Sequence, residues 1–565
     1  MNLTVILTGA LPAVVLLSAV FTALVSVVLL RLYRRAVVRG MNARAGGVAS
    51  PRSPGRPSTA AASATLPVLS VLEASSSPEP ASGGDGVFRA ARQALNRSAT
   101  VYAGGGLVYA LVLTTAWMIT AGSGPNVTRF LLLLSCYSWP LVLALGLLDP
   151  AGRARHLVVY FTAVLVISSV ALLRNVDLTV GQLLYLWCFA NGPASLLLLA
   201  FLNRRVRGVG PLVLAFMVTA VTGAVLVVNL VSGNEILLRL ITDAGFGMGL
   251  TATTLFVLLH LVGFAFFGLL GWPLLRWLGH RYQNKKMSDQ AIGLDAMWLL
   301  FGVLQSFTLV FENWLWIFTG PVAFVAYNLT VHFGFFFIAR RRRPEGDGLT
   351  LLLLRVFALG QRSQRLFDAV ANVWLRSGSI GLIAGPDLAT ATVEPHEFLD
   401  FLGGRLSRQF VQGETDLAQR LAHLDTRPDP DGRHRVNEFF CRADTWQMTM
   451  HRLAQQSDVV LMDLRSFSKT NRGCVYELRH LMNEVPLARV LLVIDESTDR
   501  DFLEMTVREI WQEMETTSPN ARLSRARVRC FAVNGHGPRE MDKLLRILFD
   551  ATTARASLPV NEPPR

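Results

Sequence analysis

The densest set of groups able to do chemistry lies in Ser457-Asp-Val-Val-Leu-Met-Asp463-Leu-Arg465-Ser466-Phe467-Ser-Lys-Thr470-Asn471-Arg-Gly473-Cys474-Val-Tyr-Glu477-Leu478. An apolar run ends on a carboxylate, a loop with a guanidinium and hydroxyls follows, and a helix starts near Gly473. Glu477 falls in the first or second turn of that helix. Carboxylate, cation and hydroxyls at such an edge suit a polar ligand. A plainer role also exists for Glu477, since unpaired N–H groups and the macrodipole favour acidic residues at helix starts. For Arg465 the plain role is a solvated cation or an ion pair. Cys474 reads as a small buried residue, with His480 too far round the helix to partner it.

Several chemistries are missing. No G-x-x-x-x-G-K-[ST] and no G-x-G-x-x-G at a strand end is present, so a phosphate-loop nucleotidase and a Rossmann dehydrogenase lack support. No G-x-S-x-G elbow marks an α/β-hydrolase. Cys136, Cys188, Cys441, Cys474 and Cys530 form no C-x-x-C pair, which argues against disulfides and a cysteine zinc site, and no metal is expected.

The elements that must position Glu477 are five apolar runs read as strands, at 351–357, 380–384, 459–464, 490–494 and 528–533. Helical stretches lie between and after them, at 363–375, 397–410, 474–483, 501–514 and 538–552. Strands apolar throughout and alternating with helices predict a parallel sheet covered on both faces, a flavodoxin-like, doubly wound domain. Ligands of such sheets bind beyond the carboxyl ends of the strands. That rule selects 385–387 with Asp387, then 463–471, 495–498 and 534–536. The run 433–446, which mixes polar groups with aromatics up to Trp446, can help build a pocket, although Asp444 as a helix cap explains part of it.

Over 457–478 the chain resembles Toll/interleukin-1 receptor (TIR) domains. Their third strand leads through a loop into a helix reading roughly W-C-x-x-E-L. Cys474-Val475-Tyr476-Glu477-Leu478 match, with Gly473 where the family usually has Trp, and Phe467 matches an aromatic often found in the loop. Asp463 departs from the usual small residue, and an insertion around 412–436 has no family counterpart. The resemblance covers the order of elements over 349–552. It implies that Glu477 is the catalytic residue that cleaves NAD at the nicotinamide–ribose bond, NAD being substrate and not a bound cofactor. In that chemistry the leaving group is already cationic, and a carboxylate beside the ribose stabilises oxocarbenium-like charge. Phe467 would then line the nicotinamide pocket, while Asp463, Arg465, Ser466 and, from the strand-end rule, Asp387 would shape the cofactor-binding surface.

The rest of the chain is a different kind of sequence. Hydrophobic residues make up 52 % of all 565 and charged ones 17 %, below the roughly 25 % of a soluble domain. The deficit is confined to residues 1–348. Nine segments there are long and apolar enough to be read as spans: 4–30, 99–120, 130–148, 157–173, 182–202, 211–232, 250–275, 294–318 and 321–338. Residues from 349 onward balance 28 basic against 28 acidic side chains, so the net charge of +14 sits entirely in the apolar part. One set of alternate loops holds 23 Lys and Arg and the other three, which predicts an N-terminus outside and the C-terminal domain in the cytoplasm. Arg outnumbers Lys 50 to 4, which points to a GC-rich, bacterial genome and so to an inner membrane. Arg31, Arg34 and Arg35 follow the first apolar run, the wrong polarity for a cleaved signal. The basic excess hugs the spans, so nucleic acid is not the expected partner. The lipid bilayer is, together with a second copy of the chain through the soluble domain.

The expected organisation is a first transmembrane helix over 1–39, a disordered linker over 40–98, an eight-helix bundle over 99–343, the α/β domain over 349–552 and a tail over 553–565. Gly, Ser, Ala and Pro dominate the linker. Residues 88–96 read either as a short basic helix on the membrane surface or as the start of the second span. Intramembrane ionisable groups are sparse, His260, Asp295, Glu312 and His332, which favours an anchor or sensor over a transporter. Three functions stay open: an NAD-cleaving effector, a non-catalytic signalling or nucleotide-sensing module, and a transporter with a regulatory domain.

Overall fold

The computed structural model describes residues 11–43, 68–73, 83–120, 126–150, 152–175, 177–202, 209–310, 316, 318–341, 348–355, 361–385, 393, 395–521, 523, 527–535 and 537–556. Two compact units emerge. The first comprises residues 1–33, 98–342 and 393–403. The second comprises residues 34–97, 343–392 and 404–565.

The first unit is helical. Its long elements are α1 (Leu11–Asn42, as far as residue 33), α2 (Gly83–Thr120, from residue 98), α3 (Val127–Tyr137), α4 (Trp139–Leu148), α5 (Arg153–Arg174), α6 (Val180–Leu202), α7 (Gly210–Gly233), α8 (Glu235–Gly247), α9 (Ala252–Gln283), α10 (Asp289–Val310) and α11 (Thr319–Arg341); the end of α1 and the start of α2 belong to the second unit. Among the described residues, five stretches are long and apolar enough to cross a membrane: Gly84–Thr120, Val127–Leu148, Arg153–Arg174, Ala252–Gln283 and Thr319–Ile338. Outward-facing Leu173, Leu269 and Phe337 are exposed, as lipid-facing side chains would be. Pro140 in the first turn of α4 follows the break between α3 and α4 inside one expected span. Glu312 lies outside the described residues, and Pro193 lies within continuous α6.

Side-chain packing holds this unit together. Tyr109 donates to Gln305 Oε1 at 2.8 Å, Gln305 Nε2 donates to Asn191 Oδ1 at 2.9 Å, and Asn191 Nδ2 donates to the Cys136 carbonyl at 3.1 Å. That chain satisfies polar groups across four helices where no water would reach them. Tyr109, Trp298 and Tyr327 pack as two tilted ring pairs beside it, with centroids 4.7 and 4.8 Å apart. A Cβ at Gly320 would stand 1.8 Å from the Gly302 carbonyl oxygen, so only glycine lets α10 and α11 approach so closely.

The second unit is an α/β sandwich on one parallel sheet. Its elements are β1 (Val68–Glu73), β2 (Leu349–Arg355), α12 (Gln361–Trp374), β3 (Gly378–Ile383), α14 (Glu414–Ala422), β4 (Val436–Phe439), α15 (Trp446–Gln456), β5 (Val459–Asp463), α16 (Arg472–Glu484), β6 (Val490–Ile494), α17 (Arg500–Gln512), β7 (Arg527–Ala532) and α18 (Pro538–Ala556). A further helix, α13 (Pro395–Leu402), falls in the first unit, where His396 stacks on Tyr282 of α9. The expected helix over 397–410 is therefore divided.

The strand order is β1-β7-β6-β5-β2-β3-β4, every pair parallel. The five expected strands form the centre in the doubly wound 2-1-3-4-5 arrangement. Alternate residues face opposite sides. Leu352, Leu354, Val460, Met462, Leu492 and Cys530 pack under α15, α16 and α17. Leu351, Leu353, Leu461, Leu491 and Phe531 pack under α12 and α18 on the other face.

Both edges carry strands that were not expected. β4 is a short, half-polar edge strand. β1 comes from the stretch expected to be a disordered linker, and the structure corrects that expectation: residues 68–73 pair in register with β7. The start of α2 completes the cover. Phe88, Ala91 and Leu95 are buried against α12, α18 and the sheet. Arg92 pairs with Asp542, and Arg546 bonds Asp85 at 2.8 Å while lying over the Phe88 ring at 4.8 Å. A Cβ at Gly84 would sit 2.3 Å from the Asp550 nitrogen, so glycine permits this close seating. Residues 88–96 are thus the start of a longer helix whose first turns cover the sheet.

Phe88 is 3 % exposed. Phe88→Ala in the full chain is expected to destabilise the α/β unit by about 3–5 kcal/mol, read as a lower urea midpoint for proteolysis within β7 and α18. An unchanged midpoint would mean that α2 does not contribute to this core.

Candidate functional site

Strands β2 and β5 are neighbours whose chain connections leave in opposite directions, which opens a crevice at their carboxyl ends. Their register sets Arg355 beside Asp463 there. The loop leaving β5 is shaped by its own polar groups: Ser468 N donates to Asn471 Oδ1 at 2.9 Å, and Asn471 leads into α16. On α16, Cys474, Glu477, Leu478 and Leu481 share the buried face, as i, i+3 and i, i+4 spacing requires.

Glu477 is 4 % exposed and lines a cavity of about 380 Å³. Ile383, Ala384 and Cys474 wall it with Met41 and Trp446, while Arg442, Thr470, Asn471 and Arg472 supply polar groups. Its volume lies within the range of small-molecule sites. Glu477 Oε2 is buried and accepts no hydrogen bond. Burial pushes the Glu477 carboxyl up to about 8, although the Arg355 guanidinium pulls it down. Arg355 is itself buried, its Nη1 3.5 Å from the Ile383 carbonyl in the cavity wall. The Cys474 thiol is pushed up to about 12 by burial, then by Glu477 and Asp463, so it is no nucleophile near neutral pH.

The end of α1 forms part of this wall. Met41 faces the cavity, Gly40 lies against the Phe410 ring, and Ala443 N donates to the Ala43 carbonyl at 3.4 Å.

The other expected site residues go elsewhere. Arg465 is fully buried and turns back on Asp463, with Nε–Oδ1 at 2.8 Å and Nη2–Oδ2 at 2.6 Å, and Nη2 also donates to the Arg362 carbonyl. These two groups satisfy each other and fix the loop. Ser466, at φ 60°, shares a hydrogen bond with Ser497. Phe467 is buried in the core and stacks on Phe502 at 5.3 Å, so it does not line the cavity. Asp387 lies outside the described residues. The run 433–446 does contribute, through Cys441, Arg442, Ala443 and Trp446; the helix cap there is Thr445, not Asp444.

Arg355, Met41, Arg442 and Arg472 were not singled out from the sequence. The signal for Arg355 was a cation closing an otherwise apolar strand, and that for Met41 was absent. Comparison with known families, curated proteins and solved structures finds no match to this chain.

A carboxyl raised from 4.5 to about 8 binds a proton more tightly folded than unfolded. Its stabilising contribution is present below pH 4.5 and is lost as pH rises towards 8. Relative to Glu477→Gln, the wild type should lose on the order of 4 kcal/mol between pH 4.5 and pH 8. Urea unfolding of both proteins across that range checks this; parallel pH curves would show Glu477 to be ionised at no cost.

Proposed function

We propose that this is an integral membrane protein whose α/β unit is a TIR-like domain that binds a nicotinamide dinucleotide in the Glu477 cavity and hydrolyses its nicotinamide–ribose bond. The observation that supports it is the Glu477 carboxyl facing that cavity with one buried oxygen unpaired. A ribose hydroxyl is a natural donor to such an oxygen, Trp446 offers a face for a base, and Arg442 and Arg472 offer charge to phosphates. NAD and water would give nicotinamide, ADP-ribose and a proton, with no general acid needed at the departing pyridinium. Entry of that cation favours the ionised carboxyl, so substrate itself draws Glu477 into its working form.

A second reading, a nucleotide sensor without turnover, has its own support: burial keeps the free Glu477 neutral, and a neutral carboxyl binds hydroxyls but stabilises positive charge poorly. Full-length protein in nanodiscs is expected to consume NAD, with kcat/KM rising with pH towards about 8 and Glu477→Ala reducing it by about 100-fold or more. Equal rates for both proteins reject hydrolysis; calorimetric binding without turnover selects the sensor.

The proposed placement follows the loop charges, with the α/β unit on the cytoplasmic face of an inner membrane. Residues 68–73 pair with β7, and Phe88, Ala91 and Leu95 pack on the same sheet, so these two parts of the chain lie on one side of the membrane. The number of crossings between them must then be even, as eight spans would be. Reporter insertions near residue 60 and at the C-terminus should both be active in the cytoplasm; opposite signals would reject this topology.

A further inference from the structure

Three ligating side chains meet between α15 and α16, apart from the Glu477 cavity. His480 and Glu484 stand one helical turn apart on α16, and His451 faces them from α15. His451 Nδ1 lies 2.5 Å from His480 Nε2 and 2.8 Å from Glu484 Oε2, while His480 Nε2 lies 3.4 Å from Glu484 Oε1. One ligand atom from each residue falls within 4.8 Å of the others.

We infer that His451 Nδ1, His480 Nε2 and a Glu484 oxygen form a binding site for a divalent first-row metal ion of the Zn²⁺ class. Two imidazoles and a carboxylate suit that class and not Ca²⁺ or Mg²⁺, which take oxygen ligands. Without an ion, one proton on His451 Nδ1 stands between two acceptors, His480 Nε2 and the Glu484 carboxylate. At metal–ligand lengths of about 2.0–2.1 Å a tetrahedral site separates ligand atoms by roughly 3.3 Å. The rings would part by less than an ångström.

The surroundings fit. Tyr476 stacks on the His480 ring at an interplanar angle of 8°, fixing its plane. The Gln455 amide nitrogen lies 3.1 Å from both His451 Nε2 and Glu484 Oε2; with metal on Nδ1 and on the carboxylate, the amide gives up its bond to Glu484 and, rotated by half a turn, accepts the proton of His451 Nε2. The three side chains are between 15 % and 33 % exposed, which leaves a path for the ion and a position for water. The cysteine pattern gave no reason to expect a metal, and this site uses none of them. It stands independently of the function proposed for Glu477. Its consequence would reach that cavity, since α15 carries Trp446 and α16 carries Glu477.

Detergent-solubilised full-length protein, stripped with chelator and titrated with Co²⁺, tests the site. One equivalent should bind with visible d–d bands and no near-ultraviolet thiolate charge transfer, and Zn²⁺ should displace it. His480→Gln and Glu484→Gln should each weaken binding by at least about tenfold. Failure to retain Co²⁺ at micromolar concentration, a thiolate band, or unchanged binding in the folded Glu484→Gln protein would overturn the inference.

Discussion

A parallel sheet whose strands are apolar on both sides tolerates no uncovered face, and that demand organises the α/β unit. Leu352 and Leu354 point one way, Leu351 and Leu353 the other, and the same alternation repeats across β5, β6 and β7. Burial of both faces supplies the dominant driving force, and each face needs helices to supply it. One face takes its cover from the helices that follow in the chain. The other also uses Phe88, Ala91 and Leu95, brought from the stretch between α1 and the rest of α2.

The carboxyl edge of that sheet holds two polar clusters in contrasting states. Asp463 and Arg465 neutralise each other and are closed to a ligand. Glu477 faces a cavity with an oxygen left without a donor, an arrangement that costs free energy unless something else occupies the space. Arg355 lowers that cost without removing it, because desolvation outweighs its attraction. Such an imbalance at a switch point is the physical signature that sets this cavity apart from the remainder of the edge.

The central strands were legible because each is apolar over its whole length, a pattern few other elements share. β4 was not, since Val436-Asn-Glu-Phe439 is short and half-polar, as an edge strand can be. β1 was hidden by its surroundings, where Ser, Ala, Gly and Pro dominate the composition. Glu477 was legible as the acidic residue of a strand–loop–helix passage. The pairing of Asp463 with Arg465 was not, because spacing two apart in a loop does not reveal which way side chains turn. His451 and His480 lie 29 residues apart on different helices, so only tertiary packing brings them together.

The seating of α2 on α18 also dictates a timetable. Asp85 and Arg546 are 461 residues apart in sequence, and β1 waits for β7. During synthesis, the early strand and the apolar side of its helix emerge long before their mates exist. Until α18 leaves the ribosome, Phe88, Ala91 and Leu95 have no complete core to enter, and until β7 does the edge of β1 has no neighbour. Nascent chains interrupted anywhere before β7 would display these surfaces to chaperones and proteases, making synthesis of β7 and α18 the step that shields them.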